Sequence, residues 1–314
     1  MERTIFESEH QLFRESFRQF VEKEIVPKND DWEREGIIDR SLFEIAGENG
    51  FLGIDIPQKF GGGEIKDYRF NQIMQEEFDM AGVAAAASAL GLHNDICIPY
   101  FLEFCSEEQH QRWLPGLASG MYITAIAMSE PGTGSDLASI STTAIKDGES
   151  FILNGSKTFI SNGIISDLII VAAKTNPEAG HRGVSLLVVE RGMDGFERGR
   201  NLDKIGRHSQ DTAELFFTDV KVPVENLLGE ENQGFYHMMF NLPQERLNIA
   251  ISAVAGTQYA FDLTLEYVKE RQAFGQPIGN FQNTRFKMAE IATELEFAWA
   301  FLDKCVIAHN AKEL

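Results

Sequence analysis

Residues 127–136 read Ala-Met-Ser-Glu-Pro-Gly-Thr-Gly-Ser-Asp, which sets two hydroxyls (Ser129, Ser135) and two carboxylates (Glu130, Asp136) around a Pro-Gly-x-Gly turn. Glycine permits tight, left-handed backbone. N–H groups exposed in such a turn form a concavity suited to an anionic or polar cofactor edge. An ordinary surface turn has the same composition, so the loop alone decides nothing. A strand-like run, Ser150–Leu153, follows it, is expected to turn at Asn154-Gly155, and leads into Lys157-Thr158-Phe159-Ile160-Ser161-Asn162-Gly163.

The elements that must position these segments are bounded by composition. The chain has 314 residues, 43% of them hydrophobic, enough for a large core and two or three structural units. The longest soft apolar stretch, Ala81–Leu92, is too short and too alanine-rich to cross a membrane. A formal net charge of −20 makes nucleic acid and anionic membranes poor partners. Cys97, Cys105 and Cys305 form no C-x-x-C pair and the seven histidines no H-x-x-x-H pair. No metal site is expected, and the thiols read as reduced small apolar groups. The acidic start, Met1-Glu2-Arg3-Thr4-Ile5-Phe6-Glu7, lacks the order of a signal or transit peptide. The expected location is the cytoplasm, or the mitochondrial matrix if a presequence has been removed.

Periodicity gives an order of α, then β, then α. Leu12, Phe13, Phe17, Phe20 and Val21 recur at helical spacing, with Pro27 as the expected end of that helix. Helices resume to about Leu117. From Met121 the texture changes to short β-branched or apolar runs, Tyr122–Met128, Ser150–Leu153, Asp167–Ala173, Val184–Val189 and Glu214–Val220, with Asp147-Gly148, Asn154-Gly155, Gly192 and Gly195 between them. Long helices return over roughly Gln233–Arg271, with a bend expected at Pro243, and over Asn280–Asn310. The fold class is α+β: an N-terminal α-helical domain (1–120), a central antiparallel β-domain (121–229) and a C-terminal helical-bundle domain (230–314).

In order and spacing, the loop at 127–136 and the segment at 157–163 resemble the flavin-binding β-domain of the acyl-CoA dehydrogenases. Arg271-Gln272-Ala273-Phe274-Gly275-Gln276-Pro277-Ile278 is similar to a third segment of that family. Glu214-Leu215-Phe216-Phe217, Leu228-Gly229-Glu230-Glu231-Asn232 and Pro243-Gln244-Glu245-Arg246-Leu247 look most like its long-chain members. The family normally continues into further helices and a Gln-x-x-Gly-Gly motif, so by this resemblance the last domain is expected to be incomplete, lacking its final helices and leaving apolar helix faces uncovered.

The resemblance implies FAD as cofactor and an acyl-CoA as substrate, with an electron-transferring flavoprotein as acceptor and a homo-oligomer, dimer or tetramer, as the working form. Ile126, Ala127, Met128, Ser129, Gly134 and Ser135 would hold one edge of the flavin. Phe159, where many relatives carry tryptophan, would stack on its ring, with Ile160 beside it and the Ser161 hydroxyl near its reactive nitrogen. Arg271, Phe274 and Gln282 would reach the FAD of a neighbouring subunit. Ser135, Tyr236, Pro243, Gln244 and Arg246 would lie along the substrate. In most of the family the base that takes the α-proton comes from near the C-terminus, but in the long-chain and isovaleryl members it comes from the long helix after the β-domain. Glu245 occupies that position, and a glutamate desolvated by a bound acyl chain becomes a stronger base. Without the resemblance Glu245 reads as an ordinary helix-surface carboxylate. Coenzyme A is an anion, so its site needs local Lys or Arg against the overall charge. Small residues at Ala84–Ala87, Ser88 and Gly91 fit either a long acyl tail or close helix packing; medium-to-long straight chains are expected. The rival readings are an acyl-CoA oxidase or flavin monooxygenase on the same scaffold, and a non-catalytic flavin- or CoA-binding fragment.

Overall fold

A computed structural model describes residues 3–314. Helices α1 (Ser8–Phe20), α2 (Asn29–Glu35), α3 (Ser41–Glu48), α4 (Arg69–Met80), α5 (Ala84–Gly91), α6 (Ile98–Phe104) and α7 (Glu107–Ala118) come first. Strands β1 (Thr124–Ala127), β2 (Thr143–Asp147), β3 (Ser150–Ser161), β4 (Leu168–Lys174), β5 (Val184–Glu190), β6 (Phe196–Asn201), β7 (Thr212–Pro223) and β8 (Leu227–Leu228) follow. Helices α8 (Gly234–Glu270) and α9 (Gln282–Asn310) close the order, with a short hairpin of β9 (Gln272–Ala273) and β10 (Gln276–Pro277) between them. The α, β, α sequence of elements is therefore as expected. Among the described residues no helix is long and apolar enough to cross a membrane.

By contacts the chain forms two compact units: one of residues up to Pro27 with Asp67–Ala87 and Arg246–Leu314, the other of Lys28–Lys66 with Ser88–Glu245. The second holds the sheet, in the order β6-β7-β3-β2-β4-β5-β8, with β1 paired to β4. The sheet is mixed rather than purely antiparallel. β1 runs parallel to β4, in register Thr124↔Leu168 to Ala127↔Val171, because the chain leaves β1 through a long excursion (β2 and β3) before returning as β4, whereas tight hairpins give antiparallel pairs. Along β4, Leu168, Ile170 and Ala172 enter one apolar cluster with α6 and α7, while Ile169, Val171 and Ala173 enter another with β3 and β7. β5 alternates the same way. Both faces of these strands are covered, which is why they read as unbroken apolar runs.

Local expectations fail where a neighbour decides. Asn154-Gly155 is not a turn; β3 runs through it with a shift of register between Leu153 and Gly155. Gly155 has φ +145°, and a Cβ there would lie 2.5 Å from Thr142 Oγ1, so the residue serves a bulge pressed against its neighbour. The turn is at Gly148 (φ +61°). Pro27 does not end the first helix, since α1 passes into a π-helical stretch (Val21–Ile25) and a single 3-10 turn (Val26–Lys28) that contains it. Leu12 faces solvent.

In the first unit, Ile5, Tyr68, Leu247, Ile251, Leu302 and Val306 make the apolar cluster. Buried Glu76 and Glu77 are gripped by Arg3, Arg14 and Arg18 at 2.7–2.8 Å. On α9, Phe297 and Phe301 are each 70% exposed.

Candidate active site

Lys157 and Glu130 organise the loop after β1. The Lys157 ammonium, fully buried, donates to Met128 O and Glu130 Oε1, both at 2.9 Å. Glu130 also accepts from Ser141 N and Ser141 Oγ (2.6 Å each) and Thr142 N (3.0 Å). Burial alone would raise the Glu130 carboxyl, but the Ser141 and Thr142 bonds and the Lys157 charge more than offset this and hold it at about 2. Burial pushes Lys157 down to about 8 against the pull of Glu130. The Thr158 N–H donates to Ser129 O (3.0 Å), so the two sequence segments are stitched side by side.

That stitching leaves the loop backbone open. Glu130 and Thr133 exchange backbone bonds (2.8 and 3.1 Å) around Pro131-Gly132. Neither Gly132 nor Gly134 has positive φ, so left-handed backbone is not what these glycines supply; nothing lies within 4 Å of where their Cβ atoms would be. Ser129 is half-buried, while Gly134 and Ser135 are exposed. Ile126 and Met128 pack toward the cluster that contains Tyr100, while Ala127 packs with the opposite one.

Phe159 is the outlier of β3. Its φ is +59°, its pairing register shifts between Lys157 and Ile160, and its ring is 71% exposed. A left-handed non-glycine residue costs about 1–2 kcal/mol, and such strain concentrates at functional positions. Ile160 turns inward to the core and Ser161 is half-buried opposite Thr212. Asn162, also left-handed (φ +56°), anchors the strand end by donating to Ala89 O and Thr124 O at 3.1 Å.

Glu245 sits at the second anchor of this unit. The Tyr100 hydroxyl donates to Glu245 Oε1 at 2.8 Å, and Gln244 Nε2 donates to Asp95 O at 2.8 Å. Burial pushes the Glu245 carboxyl up, opposed by the Tyr100 bond. Burial and the adjacent Glu245 push the Tyr100 phenol well above its ordinary range. A half-buried carboxyl whose basicity is raised and whose position is fixed can serve as a general base. Pro243 and Arg246 are exposed on the same helix. Pro243 lies inside α8, which runs on through it without interruption. Nine residues at about 100° each put Tyr236 on the face opposite Glu245; it is 47% exposed and lies near the His181 ring at 6.3 Å. The structure does not bring Tyr236 to the Glu245–Tyr100 pair.

In the other unit, Arg271 and Gln282 are exposed at the end of α8 and the start of α9. Between them Phe274 (φ +51°) and Gly275 (φ +78°) form the hairpin turn, and the Phe274 ring is 95% exposed. Both central residues of a type I′ turn need φ above zero, which presents this ring outward. Glu7, Glu9 and His10 offer ligand atoms within 4.8 Å of one another, but both ring nitrogens of His10 are engaged, one by Glu7 N (3.1 Å) in the capping box of α1 and the other by Asp67 (3.2 Å). All three cysteines are free thiols. Sequence reasoning missed Tyr100 and Lys157, because their partners are distant in the chain and no spacing announces them.

Comparison with known proteins matches this arrangement along the chain. The N-terminal, middle and C-terminal domain families of the acyl-CoA dehydrogenases match residues 7–121, 125–220 and 232–313. The mitochondrial long-chain specific acyl-CoA dehydrogenase of Sus scrofa is 47% identical over 99% of this chain and 72% of its own length. An acyl-CoA dehydrogenase structure from Geobacillus kaustophilus superposes with a TM-score of 0.97 at 50% identity, covering 100% of this chain and 82% of that one. A structure described as an electron transferring flavoprotein of Acidaminococcus fermentans has a TM-score of 0.93 at 34% identity, covering 100% and 82%. Three consecutive domain matches, and this identity over nearly the whole chain, place the kinship at the level of family: the chain belongs to the acyl-CoA dehydrogenase family of oxidoreductases.

Proposed function

We propose that the protein is an FAD-dependent acyl-CoA dehydrogenase that converts medium-to-long straight-chain acyl-CoA to the trans-2-enoyl-CoA, with Glu245 as base, and passes the electrons to an electron-transferring flavoprotein. The observation that carries this reading is the half-buried Glu245 carboxyl, made more basic by burial and held at one oxygen by Tyr100. The residues present fit the cofactor. Phe159 offers an unpacked aromatic face, and the open backbone of Gly132 and Gly134 leaves room beside half-buried Ser129. Ile126–Ser135 would hold one edge of the flavin, Phe159 would stack on it, and Ser161 would offer it a hydroxyl donor. Bound FAD supplies a two-electron acceptor for the β-hydrogen.

This chain's own residues do the rest. Glu245 takes the α-proton, and Tyr100 keeps one of its oxygens in place. Gln244, Pro243, Arg246, Tyr236 and Ser135 are assigned to the substrate's path. Arg271, Phe274 and Gln282 are assigned to the FAD of a second copy, which makes the working form at least a dimer. The long-chain name of the Sus scrofa relative supports the substrate range, and the Acidaminococcus neighbour supports the electron partner. The relative's mitochondrial description supports the matrix as location; the cytoplasm is the alternative.

The test is anaerobic titration of the flavin-loaded protein with straight and branched acyl-CoAs of graded length. Bleaching of the flavin by medium and long straight chains supports the reading, and reduction only by a short branched acyl-CoA overturns the substrate range. One similar structure, at 31% identity, is described as a prolyl acyl carrier protein oxidase. Stoichiometric peroxide release in air would therefore favour an oxidase over a dehydrogenase.

A further inference from the structure

The stretch before α6 is π-helical (Leu92–Cys97), with Ile98 N–H reaching back to His93 O. Such widened turns cluster at functional sites. Pro99 follows and has no N–H, so it cannot donate to the carbonyl four residues earlier, that of Asp95. The Gln244 side-chain amide donates to that carbonyl at 2.8 Å. The next residue after Pro99 is Tyr100, and the next after Gln244 is Glu245; these two are joined at 2.8 Å. Asp95 through its carbonyl and Tyr100 through its hydroxyl, five positions apart in the continuous helical stretch 92–104, thus hold two adjacent residues of α8.

We propose that Tyr100 is the positioning residue for Glu245, beside the neighbouring bond from Gln244 to the Asp95 carbonyl. The inference rests on the reading of Glu245 as base. Tyr100 is fully buried, within an apolar cluster that includes Ile98, Phe101, Trp113 and Met238, so its hydroxyl has little freedom to follow a wandering carboxylate. Its bond occupies Glu245 Oε1 and leaves Oε2 to take the proton. In that step the substrate Cα–H bond breaks and an O–H bond forms on Oε2. The electron pair left at the α-carbon closes the double bond as the β-hydrogen leaves with its own pair, for which bound FAD would be the two-electron acceptor. Tyr100 keeps its proton throughout and remains the donor.

The bond also sets the protonation balance. A donor to the charged form favours it, so Tyr100 restrains the rise that burial imposes on Glu245. The Cys97 thiol, pushed up by burial, is neutral. The Asp95 side chain is buried on the π-helical stretch, and on α8 itself Arg246 is exposed while His237 stacks on Phe104, with ring centroids 3.9 Å apart.

The experiment uses the flavin-loaded protein and the isosteric Tyr100→Phe variant, and follows the Glu245 carboxyl directly by infrared difference titration, with Glu245→Gln as the blank. A charge-assisted bond of ordinary strength corresponds to an upward shift of about 1–2 pH units on its removal. The acid limb of the flavin-reduction rate should move by the same amount, with the rate recovering at high pH. A titration unmoved within a few tenths of a unit, in a protein whose Glu245→Gln form has lost reduction, overturns the role of Tyr100 alone. Retained reduction in Glu245→Gln overturns the base assignment and this inference with it. Should Tyr100→Phe not fold, 3-fluorotyrosine at position 100, a more acidic donor, must lower the Glu245 titration; no movement or a rise overturns the proposal.

Discussion

Replacing Lys157 by Met tests whether the buried pair under the loop holds that loop in shape. Methionine keeps the length and apolar stem, so no large cavity opens, and the perturbation is the loss of two donated bonds. Removing one partner of a buried ion pair costs about 3–5 kcal/mol. Glu130 would keep its three bonds from Ser141 and Thr142, which places the loss at the lower end. The Met128 carbonyl loses its donor, adding about 1 kcal/mol. The expected destabilisation is about 4 kcal/mol at pH 7, read from urea unfolding followed by circular dichroism. Because the partners are in contact, the cost should not add: the double variant with Glu130→Gln should fall short of the summed single losses by about 2 kcal/mol. The acid behaviour follows from the same pair. Glu130 sits at about 2 when folded and at an ordinary 4.5 when unfolded. Its contribution is fully present above pH 4.5 and is lost as the pH falls through 2, a swing of about 3 kcal/mol. Lys157→Met should lessen that loss in part only, because the Ser141 and Thr142 bonds that the variant keeps lower the carboxyl more than the Lys157 charge does. A variant within about 1 kcal/mol of the parent, with an unchanged acid limb and additive double-variant energies, would refute the reasoning.

Two further outcomes follow from named residues. Phe159→Asn, at a backbone position that asparagine tolerates, should leave unfolding free energy the same or slightly higher, because the strained ring packs on little of the protein. It should weaken FAD binding about 2–10-fold by fluorescence titration of the apoprotein; a loss of stability with unchanged FAD affinity would show the ring to be core packing instead. His93, fully buried between Thr124 Oγ1 (2.8 Å) and Leu117 O (3.1 Å), is pushed down to about 4 by burial, against the opposing pull of the Leu117 bond. The unfolded chain takes up the proton first as pH falls below 6.5, so stability present above 6.5 should drop by about 2 kcal/mol between pH 7 and 5. His93→Gln should remove that part of the slope, and an unchanged slope would contradict the assignment.

What could be read from the sequence was local. Asp167–Ala173 and Val184–Val189 announced themselves as strands because both faces of β4 and β5 are buried. Phe159 and Ser161 were marked by their place after a recognisable loop. β6 was invisible: Phe196-Glu-Arg-Gly-Arg-Asn is an edge strand with one apolar residue and no alternating pattern. Asn154-Gly155 carried the composition of a hairpin, yet the crowding of Thr142 makes it a bulge. The Tyr100–Glu245 bond joins residues 145 positions apart. Neither periodicity nor propensity encodes such a pairing, which exists only once α6 and α8 are packed. The Lys157–Glu130 pair was hidden for the same reason, since a charged residue in a strand reads as solvent-facing until the partner that neutralises it is known.

The central claim is that Glu245 removes the substrate's α-proton. Its most direct test is anaerobic mixing of a saturated long-chain acyl-CoA with the flavin-loaded parent and with Glu245→Gln, following flavin absorbance while acyl-CoA binding is measured separately. The account predicts rapid bleaching in the parent, retained binding in Glu245→Gln, and at least a thousandfold slower bleaching there, on the order of the upper contribution of a positioned base. Bleaching at the parent's rate in Glu245→Gln would contradict it and place the base elsewhere.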